Sequence, residues 1–99
     1  MVAGAARAIL FQNRYLSYGD ACTMARRISA RSSWELVYIH LAETTHTSTA
    51  ALARLVLLRR ELLERGRDLR IIGLRGKARA LYDISRLSNV LPLLPASET

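Results

Sequence analysis

The 99 residues, about half of them hydrophobic, suffice for one domain with a true core and leave no room for a second. Fifteen basic against eight acidic residues give a net charge of +7, a balance that suits nucleic acid, an anionic membrane surface or an acidic protein partner. The single cysteine, Cys22, excludes an internal disulfide and fits a reducing compartment. No run approaches the ~18–20 uncharged apolar residues a membrane span needs, and Met1–Arg7 lacks the apolar core of a secretion signal. The expected location is cytoplasmic, without membrane insertion.

Fourteen of the fifteen basic residues are arginine, dispersed along the chain without interleaved aromatics for base stacking. Solvated helix faces account for them better than a nucleic-acid surface, so no direct nucleic-acid partner is expected.

In chain order, Arg7–Ser17 reads as a strand with Ile9, Leu10 and Phe11 at its heart. Asp20 is placed to cap a helix over Ala21–Ala30, with Cys22, Met24, Ala25 and Ile28 as its apolar stripe. Arg31–Ser33 is a loop. Trp34–Leu41 is the strongest strand, apolar on both faces and therefore interior. His40 belongs to that pattern as a partly buried histidine, and His46 has no second ligand at metal-binding spacing.

Between this strand and the next helix lies Thr44-Thr45-His46-Thr47-Ser48-Thr49, in which five of six residues carry hydroxyls. Ser48 or Thr47 is suited to cap the helix, and a covalent phosphate suits the same place, because free amides and the dipole's positive end both favour an anion. The helix runs over Ala50–Arg65, with Leu52, Leu55, Val56, Leu58, Leu62 and Leu63 inward, Arg60–Glu64 and Glu61–Arg65 pairing outside, and Gly66 as a left-handed stop. Asp68–Leu74 is a strand, expected parallel to Trp34–Leu41 through a right-handed crossover. A helix from about Ala78 to Arg86 and an extended edge at Asn89–Leu94, limited by Pro92, complete the domain. Residues 1–6 and 95–99 read as loose ends of the single domain 1–99.

Clustered glycines between strand and helix are missing, and no acidic pair or Ser–His–acid set stands in a catalytic pattern. A binding or regulatory module is expected rather than an enzyme, with no cofactor and no metal.

The order of elements, with Val37–Leu41, Ser48-Thr49-Ala50-Ala51-Leu52, the leucine- and arginine-rich helix to Gly66, Leu69–Leu74 and Leu81-Tyr82-Asp83-Ile84-Ser85-Arg86-Leu87, resembles the STAS domain of bacterial anti-sigma factor antagonists. The pattern lies without a gap on Glu35–Leu94 and more loosely on Ile9–Ile28, and the family's usual first strand is shortened or lost. The resemblance implies a small α/β fold, a mixed sheet of about four strands with helices mainly on one face.

It also implies partner switching in transcriptional control. The unphosphorylated protein binds an anti-sigma factor that is a serine/threonine kinase. Phosphorylation at the start of the central helix ends that complex, and a metal-dependent serine/threonine phosphatase restores it. The family's acceptor falls on Thr49, its preceding aspartate on Ser48 and its following glycine on Ala51, so Thr49 or Ser48 is the expected phosphosite. His46, Thr47, Ser48, Thr49, Ala51 and Leu52 are the expected docking residues. Another role in the family is a non-phosphorylated subunit of a transport complex, such as a lipid-transport ABC system.

Overall fold

In the computed structural model, which describes residues 5–96, three strand-to-helix steps follow one another. β1 (Ala5–Leu10) passes through the short β2 (Tyr15–Leu16) into α1 (Tyr18–Ser29). β3 (Trp34–His40) passes through β4 (His46–Thr47) into α2 (Thr49–Leu63). β5 (Asp68–Ile72) leads to α3 (Gly76–Ile84), and β6 (Leu93–Leu94) closes the described chain.

The main sheet has the order β1-β3-β5-β6. The expected α/β domain with a four-stranded sheet is present, but the mixed pairing is not: every described pairing in the sheet is parallel. The reason is that a helix between successive strands returns the chain to the same end each time.

Strands laid side by side in chain order, each joined by a right-handed crossover, place all the helices on one face. Burial agrees. Val37, Ile39, Leu69 and Ile71 are fully buried with Ile28, Leu52, Leu55, Leu58, Leu62 and Tyr82 from the three helices. Leu36, Tyr38, His40 and Ile72 on the other face are half-buried, and Leu10 is 66% exposed. The alternation follows from the period of two along a strand.

Several boundaries differ from the sequence expectation, each for a local reason. The strand expected over Arg7–Ser17 is broken in two, because the chain leaves the sheet after Phe11, whose amide still reaches the His40 carbonyl. Its second piece, β2, pairs with β4 in a separate ribbon. The first helix starts earlier than expected, capped by Ser17 with Asp20 at its third position. Ala21 rather than Cys22 is buried on it. Of the apolar residues assigned inward on α2, Leu63 is half exposed. The pairs Arg60–Glu64 and Glu61–Arg65 do not form, and Arg59 with Asp68 and Arg79 with Asp83 are paired instead. Gly66 has the left-handed backbone expected of a helix stop, φ +73°.

The end of the molecule away from the strand-to-helix turns is held by a buried arginine. Arg67 is 6% exposed and has three carbonyl acceptors: Trp34 at 2.8 Å from Nε, and Ile28 at 2.9 Å and Arg31 at 2.7 Å from Nη2. Two of these carbonyls lie at and just beyond the end of α1, where a cation is favoured, and each also accepts a backbone amide: Ile28 O from Arg31 N–H and Arg31 O from Trp34 N–H. Arg7 and Arg31 also stack on Trp34, so the basic residues meet an aromatic here, which the linear pattern does not disclose.

Candidate functional site

Because every described strand of the main sheet runs the same way, α1, α2 and α3 all begin at its C-terminal edge. The segment Thr44–Thr49 ties these three beginnings together. Its carbonyls serve α3: Ala78 N–H donates to Thr45 O at 2.7 Å and Arg75 N–H to Thr44 O at 3.2 Å. This replaces the side-chain cap that Arg75, at the cap position, does not provide. Gly76 permits the close approach. Its φ is +56°, and a Cβ there would meet Thr45 Cβ at 3.2 Å.

The same segment aligns α1 with α2. Tyr15 pairs with His46 and Leu16 with Thr47, so the cap residues Ser17 and Ser48 follow directly from neighbouring strands of one parallel ribbon. The two helices leave side by side and in the same direction, and they pack along their length.

Four of the five hydroxyls have structural work. Thr44 Oγ1 donates to Asn13 O at 3.0 Å, and Thr47 Oγ1 donates to Leu16 O at 2.8 Å. Thr45 Oγ1 and His46 Nδ1 form a hydrogen bond of 2.9 Å. Ser48 Oγ accepts from Ala51 N–H at 3.0 Å, which is the helix cap. Thr49 occupies the first helical position, is exposed, and has no hydrogen-bond partner for its hydroxyl among the described residues.

Of the residues assigned to docking, His46 and Thr49 are exposed and Thr47 and Ser48 are half-buried. Ala51 and Leu52 do not reach the surface. They are 0% and 1% exposed and form part of the core, because the third and fourth positions of α2 face the sheet. Their contribution is to hold the helix start in place.

The electrostatics of the surface are positive. No acidic residue lies in the first turn of α2, so its free amides and dipole are unopposed. Arg54, one turn and a half further along, is close enough for its charge to act on the first turn of α1. There, contact with the Cys22 thiol raises the Tyr18 phenol above its ordinary pKa while the Arg54 guanidinium pulls it down. Arg54 Nη1 is buried without a hydrogen-bond partner among the described residues. Arg75 and Lys77 stand exposed at the start of α3.

No protein-family model matches this sequence, and no curated protein does either. Among the described residues, no helix is long and apolar enough to cross a membrane.

Proposed function

We propose that this chain is an anti-sigma factor antagonist of the partner-switching type, with Thr49 as the phosphate acceptor. The observation that carries the reading is the accounting of hydroxyls: Thr44, Thr45, Thr47 and Ser48 are each hydrogen-bonded, whereas Thr49 is exposed and has no hydrogen-bond partner among the described residues. Phosphorylation of Ser48 would disturb the cap of α2; phosphorylation of Thr49 breaks no bond.

In the proposed cycle, the unmodified surface of His46, Thr47 and Thr49 docks on an anti-sigma factor with kinase activity. That partner transfers the terminal phosphoryl group of ATP to Thr49 Oγ1, leaving ADP and releasing the hydroxyl proton. The product carries roughly −1.5 to −2 charges at the first position of a helix whose amides welcome an anion. The added charge and bulk stand where the partner had packed, and the complex ends. A metal-dependent phosphatase then hydrolyses the phosphothreonine to threonine and inorganic phosphate.

The test is phosphorylation by the co-purifying kinase with ATP and magnesium, followed by fragmentation of the intact protein to locate the phosphate. One phosphate on Thr49, abolished in Thr49→Ala and retained in Ser48→Ala, is the expected result. A phosphate located only on Ser48, or none at all, rejects the assignment.

A further inference from the structure

Along the second half of α2, roughly 10–20 Å from Thr49 at 1.5 Å per residue, lies a cleft between that helix and the loop entering β6. Its volume is about 320 Å³ and its lining is Val56, Arg59, Arg60, Leu63, Asn89 and Val90. The apolar part is open to water, with Leu63 47% and Val90 44% exposed. No carboxylate lines it.

The two arginines are not equivalent. Arg59 is held in place: its Nε donates to Asp68 Oδ1 at 2.8 Å and its Nη1 to Val90 O at 3.3 Å. It therefore anchors the Asn89–Val90 loop against α2, and Asp68 balances its charge from outside the cleft. Arg60 is exposed and forms no ion pair among the described residues, although Glu64 stands one turn away. The cleft thus combines a half-exposed apolar floor with an exposed arginine at its rim that forms no ion pair among the described residues.

We infer that this cleft docks an acidic segment of a partner protein, which places one large apolar side chain between Val56, Leu63 and Val90 and a carboxylate on Arg60. The volume admits a leucine- or phenylalanine-sized anchor together with neighbouring atoms of its own chain. Openness favours a side chain over a free small molecule, because small-ligand sites bury roughly 70–90% of their ligand. An anchor projecting from a peptide is instead covered by the rest of its own chain. The charge selects the sign of the flanking residues, since a basic segment would meet Arg59 and Arg60. The inference goes beyond the switch at Thr49 and does not depend on it.

The test is a titration of the ¹⁵N-labelled 99-residue protein with three short synthetic peptides, followed by amide chemical shifts. The first carries a single phenylalanine flanked by glutamates. The second has lysines in place of the glutamates, and the third has alanine in place of the phenylalanine. The expected result is saturable shifts at Val56, Leu63, Asn89 and Val90 with the first peptide only. Arg60→Glu, at an exposed position, should weaken that binding by about tenfold or more, as reversal of an interfacial charge does. Val90→Asp should weaken it likewise, and Arg60→Glu carries the test alone should Val90→Asp fail to fold. Thr49→Glu should leave the shifts unchanged, which separates this surface from the switch.

Equal binding of the lysine peptide overturns the inference. So do shifts spread over all the arginines without saturation, or binding indifferent to Arg60→Glu. Octanoate giving the same shifts at lower concentration than the peptide would make the cleft a small-molecule site and equally overturn it.

Discussion

The starts of α1 and α2 are the same local structure with one charge removed. Both helices leave neighbouring strands of the β2–β4 ribbon, and both are capped by a serine. At α1 the cap is reciprocal: Ser17 Oγ accepts from Asp20 N–H and Asp20 Oδ2 accepts from Ser17 N–H, each at 3.0 Å. At α2 only the first half exists, because the equivalent third position is Ala51, which is fully buried and has no space for a carboxylate. The first helical position also differs, Tyr18 in α1 and Thr49 in α2. One helix start is electrostatically complete when folded, and its neighbour is left with free amides beside a free hydroxyl. A negative charge withheld by the sequence is one that a modification can add.

The most disruptive way to break this contrast is to force the missing carboxylate onto α2. Ala51→Glu should destabilise the domain by about 3 kcal/mol or more, since a charge and the four extra heavy atoms of a glutamate enter a packed core. Urea unfolding followed by circular dichroism measures it. Next in size is removal of the caps. Ser17→Ala should cost about 1–2 kcal/mol and Ser48→Ala about 1 kcal/mol, the first being larger because it opens a reciprocal pair. Equal values in the same urea experiment would mean that the capping box at α1 adds nothing.

A smaller effect is confined to acid. Burial raises the Asp68 pKa, but hydrogen bonds from Arg59, the Leu69 amide and Arg70 outweigh it and hold the carboxyl below its ordinary value. Stabilisation from Asp68 is therefore present above the unfolded carboxylate value, about 3.9, and is lost as pH falls below it. Asp68→Asn should flatten that acid loss, read from thermal unfolding across a pH series, whereas no acid in the first turn of α2 contributes to it. The smallest effect is a gain: Thr49→Glu should stabilise the protein by about 0.3–1 kcal/mol at low salt, less at high salt, by placing a charge on the unopposed dipole. A gain insensitive to salt would point to packing instead.

Much of this arrangement is legible in the residues. β3, α2 and β5 write their periods clearly, because each is long enough to show alternation or an apolar stripe. The hydroxyl run marks the mouth of α2 directly, since caps require such residues. β2 and β4 are hidden, because two residues cannot display a period, and the ribbon exists only through pairing across 31 positions. The α1 cap has a readable signal in Ser17 and Asp20, three apart as a capping box requires, but Asp20 alone also reads as a cap. Ala51 and Leu52 look like surface neighbours of Thr49 in the linear order. The turn of 3.6 residues carries them inward instead. The hydroxyl accounting needs Asn13 and Leu16 in place, and the cleft needs Val90 against α2, so neither can be found from local pattern.

In the proposed switch, the hydroxyl of Thr49 is where another protein distinguishes two states of this one. Isothermal titration of the kinase-type partner with wild-type, Thr49→Ala and Thr49→Glu protein tests it most directly. Near-equal affinity for wild type and Thr49→Ala is expected, with a loss of about tenfold or more for Thr49→Glu. Undiminished binding of both Thr49→Glu and the phosphorylated protein would contradict it.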